Sequence, residues 1–90
     1  MPKTVRNVVG PQLRRIRNRL ELSQSELAVR LQLAGLDWGR VAVAKIESRI
    51  KRVNDAELFM LARVLKVEMT ELFPRCEKVK DYLAGQSPEP

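Results

Sequence analysis

Residues 23–35, SQSELAVRLQLAG, decide the fold of this 90-residue chain. Ser23 is a favoured N-cap, and Glu26 three positions later completes a capping box, in which hydroxyl and carboxylate satisfy each other's backbone amides. Leu27 and Leu31, four apart, mark one helical face, and Ala28 and Ala34 add small apolar surface to it. A side chain as small as Ala28 lets another helix backbone come close. Gly35 supplies the left-handed residue that ends many helices. Leu36-Asp37-Trp38-Gly39 reads as a turn, with Asp37 or Gly39 as the next N-cap, and from Arg40 the chain is helical again with Val43 and Ile46 turned inward.

Two short helices joined by a glycine-containing turn fit any helical hairpin, but also the helix-turn-helix arrangement, whose second helix can lie in a DNA major groove. Charge favours the latter. Residues 1–52 hold twelve Lys/Arg and four Asp/Glu, a balance of +8, and residues 53–90 hold five and seven, a balance of −2, which together give the net +6. A basic half that coincides with the hairpin suits contact with phosphate better than mere solubility.

The surrounding residues carry a resemblance. Leu13-Arg14 and Arg17, then Gln24, Leu27-Ala28, Val43, Ile46-Glu47, Leu61-Ala62, Leu65 and Val67 follow one another as in the Cro/repressor (XRE-type, lambda-repressor-like) helix-turn-helix domains. The match runs from about Leu13 to Phe73. It implies an all-α, compact five-helix domain over residues 10–73, with helices 2 and 3 as the motif. Two departures stand out. Gln24 and Glu47 are 23 positions apart (47 − 24), about five more than in the shorter family members. Arg49 also occupies the position where the family usually has glycine.

Along the chain, residues 1–9 read as an extended arm carrying Lys3 and Arg6. Helix 1 begins near Pro11 and buries Leu13, Ile16 and Leu20. Helix 4 follows Asn54, with Glu57 as the box acid and Leu58, Leu61, Ala62 and Leu65 on one face. A short helix 5 over Glu68 to Phe73 closes the core with Leu72 and Phe73. Residues 74–90 form a tail in which Cys76, Val79 and Leu83 permit a short amphipathic helix, packed on the domain or on a second subunit, before a frayed Gly-Gln-Ser-Pro-Glu-Pro end.

By the resemblance, base edges are met by Arg40, Val41, Ala42, Ala44 and Lys45. Arginine and lysine suit guanine O6 and N7, and methyl groups suit thymine. So apolar a face implies modest direct readout or a larger share from DNA shape. Gln24, Gly39, Arg49, Lys51 and Arg52 are expected at phosphates, with Arg14, Arg15 and Arg30 as further cations. Arg17 and Glu47 are expected as a structural bridge between helices 1 and 3. Trp38 fits a core plug better than an exposed contact.

Three functions compete, and the sequence does not favour them equally. The first is a sequence-specific repressor on double-stranded DNA, working as a homodimer because one module reads few base pairs. The second is an antitoxin or adaptor holding a protein partner through helices 4–5, where Phe59 and Met60 lie beside the core stripe, or through the tail. An enzyme ranks far behind: the chain has no histidine, phosphate loop or metal set, and its lone Cys76 offers no zinc site. No cofactor is expected. The lack of a long apolar run or signal peptide points to the cytoplasm.

Overall fold

The computed structural model describes residues 5–85. Lys3 of the expected arm and Gln86 to Pro90 of the expected frayed end lie outside them. Among the described residues there are five α-helices and no strand: α1 (Gly10–Arg19), α2 (Gln24–Leu33), α3 (Arg40–Glu47), α4 (Asp55–Leu65) and α5 (Cys76–Gly85), with a 3-10 turn at Met69–Leu72 between the last two.

Both capping boxes form. Ser23 Oγ accepts from the Glu26 amide at 3.0 Å and Glu26 Oε1 accepts from the Ser23 amide at 2.7 Å; Asn54 and Glu57 repeat the pattern on α4. Hydrogen bonds from Ser23, first through its backbone amide, hold the Glu26 carboxyl below its ordinary pKa. One apolar stripe from each of the first four helices meets in a single core. Leu13, Leu27, Leu31, Val43, Ile46 and Leu61 are fully buried there, and Leu72 of the 3-10 turn closes its base.

The ends of α1 to α4 share one device. After each of them the chain passes through a left-handed residue whose amide, with that of the next residue, returns to the last helical turn. Gly35 takes this position after α2 (φ 101°), but Glu21 (60°), Arg49 (67°) and Lys66 (59°) take it after α1, α3 and α4. Left-handed geometry costs an L-residue about 1–2 kcal/mol, whereas glycine adds about 0.5–1 kcal/mol of unfolded-state freedom. Lys66 is exposed. Lys66→Gly is therefore expected to stabilise the fold by up to about 1 kcal/mol, raising Tm by about 4–8 °C per kcal/mol. A thermal melt showing a lower Tm would contradict this account of the helix ends.

Four sequence expectations change. Leu20 is 40% exposed, because it sits at the end of α1, and Leu22 beyond the left-handed Glu21 is buried instead. Phe73 is 38% exposed, and Leu72 alone fills the space expected for the pair. The expected helix 5 is only the 3-10 turn, and α5 lies beyond it in the tail with no buried residue. Ala34, at the C-cap of α2, is exposed as well.

The arm is docked wherever it is described. Val9 is buried in the core and Val8 packs against it. Arg6 N–H donates to the Arg49 carbonyl at 2.8 Å. Asn7, 6% exposed, is spent on the end of α3.

Candidate nucleic-acid interface

The turn between α2 and α3 spans residues 34–39, longer than the three or four residues of a compact helix-turn-helix. Such a turn cannot by itself fix the angle between its helices. Two side-chain ties do so, one at each end of the pair. At the turn, Gln32 Nε2 donates to the Trp38 carbonyl at 3.1 Å, and the Trp38 ring is 5% exposed, a plug beneath α3. At the far end, Gln24 Nε2 donates to Glu47 Oε1 at 3.0 Å.

Glu47 also receives Arg17 of α1 in a two-pronged bridge, Nε to Oε2 at 2.6 Å and Nη2 to Oε1 at 3.0 Å. The remaining prong, Nη1, donates to the Leu22 carbonyl at 2.7 Å. Both side chains are nearly inaccessible, at 10% and 4%. The hydrogen bond to Glu47 raises the Arg17 pKa further above its ordinary value, outweighing the opposing effect of burial. Arg17, Gln24 and Glu47 thus join α1, α2 and α3 at one point.

With Val43 and Ile46 fully buried, the opposite side of α3 faces outward. Val41 is 57% exposed, Arg40 and Lys45 are exposed and Ala44 is half-buried. Ser48, the exposed C-cap of α3, continues this face, since Val41, Ala44, Lys45 and Ser48 stand at i, i+3, i+4 and i+7. Ala42 departs from the expected base-facing set. It lies four residues before Ile46 on the inner flank and packs against the core.

Of the residues expected at phosphates, Gly39 caps α3 with extended backbone and no side-chain bond, so no side chain covers the first-turn amides of that helix. The Lys51 ammonium lies 5.8 Å from the centre of the Trp38 ring, and Arg52 is exposed. Arg49 is half-buried, with Nε donating to the Asn7 carbonyl at 3.0 Å. Gln24 has committed its side-chain donor to Glu47, which leaves its backbone amide at the start of α2. Arg14, Arg15 and Arg30 are exposed on α1 and α2, with Arg15 bonded to Gln12.

Sequence reading missed Asn7, Gly10 and Ser48. For Asn7 a partial signal existed: an Asn side chain commonly accepts an amide a few residues on, and Asn7 Oδ1 accepts the Gly10 amide at 2.9 Å.

The helix-turn-helix family model matches residues 13–72, two thirds of the chain. This chain belongs to the XRE-type helix-turn-helix family. Among solved structures it is similar to the restriction-modification controller protein C.AhdI from Aeromonas hydrophila, at 31% identity over 72% of this chain and 87% of that one, TM-score 0.63. It is also similar to the DNA-binding domain of BldD, at 27% identity over 82% of this chain and all of that one (100%), TM-score 0.65. A hypothetical transcription factor, NHTF from Neisseria, shares the fold at 18% identity, covering 90% and 94% of the two chains with TM-score 0.66. No curated protein matches the chain in sequence.

As an XRE-type domain the chain is all-α, and its family is one of DNA-binding transcription regulators. α5 lies beyond the matched region. Among the described residues no cluster of acids and cysteine could hold a metal ion, and no helix is long and apolar enough to cross a membrane.

Proposed function

We propose that this chain is a sequence-specific repressor that binds double-stranded DNA as a homodimer in the cytoplasm and reads the major groove with α3. The observation that carries the reading is the state of α3. Its inner side is locked to α1 and α2 through Glu47, while Arg40, Val41 and Lys45 remain exposed on its outer side. Arg40 and Lys45 suit guanine edges, the Val41 and Ala44 methyls suit thymine, and Ser48 adds a hydroxyl at the end of the same face. The Gln24 backbone amide at the start of α2 and the first-turn amides of α3, with Lys51 and Arg52, suit phosphate oxygens beside that face. The likeness to a controller protein and to a DNA-binding domain supports the regulatory role.

Dimerisation follows from size. A single module of this kind covers about 600–1,000 Å² and reads only a few base pairs, so two half-sites supply the affinity a regulator needs. Selection from random duplex DNA at near-physiological salt is expected to enrich an inverted repeat, with half-sites one helical turn or a multiple apart. Retention without enrichment would replace this reading with a backbone-dominated binder. Failure to retain DNA would move it to the antitoxin or adaptor alternative, for which Phe59, 49% exposed with Arg63 over its ring, is the matching surface.

A further inference from the structure

The segment ahead of α1 is tied to the exit of α3 by hydrogen bonds of Arg6, Asn7 and Arg49. Asn7 Nδ2 donates to two carbonyls, Ile46 O at 3.2 Å on the last turn of α3 and Lys51 O at 2.7 Å in the loop beyond it. Its Oδ1 accepts the Gly10 amide, and its backbone carbonyl accepts Arg49 Nε. Arg6 N–H adds a bond to Arg49 O. One buried amide therefore fixes the distance between the last turn of α3 and Lys51. Arg49, between them, is held left-handed where glycine would be relaxed. Without the tie, the chain leaving α3 keeps the hydrogen bonds of its own helix end, among them Ser48 N–H to Ala44 O, Arg49 N–H to Ile46 O and Ile50 N–H to Lys45 O.

We infer that Asn7 is a positioning residue for DNA recognition: it sets the loop after α3 so that Lys51 and Arg52 meet the phosphates flanking the base pairs that α3 reads. The inference rests on the DNA-binding reading above. Asn7 itself touches no DNA. Its role is to make the recognition helix and the phosphate-contacting loop one rigid piece.

Asn7→Ser tests this. Serine retains an oxygen that can accept the Gly10 amide but has no amide group to bridge the two carbonyls. Leu65→Val, in the core stripe of α4, serves as a variant destabilised away from the tie. Binding to a duplex enriched by selection is measured by fluorescence anisotropy over a range of salt, at a temperature where circular dichroism shows every variant folded. Asn7→Ser is expected to lose affinity by about tenfold and to flatten the logarithmic salt slope by about one to two units, as one or two phosphate contacts are lost. Leu65→Val is expected to keep both values.

Wild-type affinity and slope in Asn7→Ser would overturn the inference and leave the DNA-binding reading intact. Amide exchange in the free protein gives a readout independent of DNA. Arg49 and Ile50 are expected to exchange faster in Asn7→Ser than in Leu65→Val, and equal rates would overturn the tie itself. Wild-type protein that binds no duplex would remove the DNA-binding reading, and this role for Asn7 with it.

Discussion

Glu47→Ala is expected to destabilise the protein by about 3–5 kcal/mol, lowering Tm by about 4–8 °C for each. The size follows from what is left behind, since the bridge itself adds little net stability. Arg17 would stay buried with one prong on Leu22 O and two donors facing a void, and Gln24 Nε2 would lose its acceptor. An exposed pair at the same separation would be worth about 1 kcal/mol or less, so a thermal melt separates the two cases. Near-wild-type Tm in Glu47→Ala would mean that solvent reaches Arg17. Replacing both partners gives a sharper test. Arg17→Met with Glu47→Leu should recover most of the loss, because no charge remains stranded. That recovery would concern stability alone, since α2 would still lack its Gln24 tie to α3.

Gly10→Ala is expected to cost about 3 kcal/mol or more, against the trend of helix propensity. Alanine is favoured over glycine inside a helix by about 0.8–1.0 kcal/mol, so propensity alone predicts a gain. Close approach decides otherwise. A Cβ on Gly10 would stand 2.3 Å from Ile46 O and 3.1 Å from Glu47 O, both backbone atoms of α3 that no rotamer change can move aside. The start of α1 would have to withdraw from the end of α3, taking the Asn7 bonds with it. The midpoint of urea denaturation measures the outcome. A rise in midpoint would show that α1 and α3 are not in the contact described.

The sequence announces the fold wherever local chemistry is enough. Both capping boxes, the inward pair Val43 and Ile46, the stripe of α4 and the left-handed Gly35 follow from neighbours within one or two turns. Legibility fails where a side chain's role depends on a partner distant in sequence. Asn7 and Gly10 act on carbonyls 36 to 44 residues away (46 − 10 and 51 − 7), and nothing in their own surroundings records that. Arg49 looked out of place at a position that suits glycine; the fold accepts the strain, and the side chain there bonds Asn7. Ala42, which the resemblance places among the base-facing residues, packs against the core because the apolar stripe of a helix is wide enough to take in the residue beside Val43. The Arg17–Glu47 pairing was suggested only by resemblance, because two oppositely charged residues 30 positions apart carry no signal of contact.

The two ends of the described chain differ as handles. Every residue of the core cluster falls between Val9 and Leu72, and α5 beyond it contributes no buried side chain. A reporter, a tether or an added domain joined after Gly85 would hang from a helix that can lengthen or lift without opening the core. A pull applied at Val5 would pass through Arg6 and Asn7 straight into the end of α3. Tension on the amino side would thus be felt by α3, whereas on the carboxyl side it would meet first a helix that contributes nothing to the core.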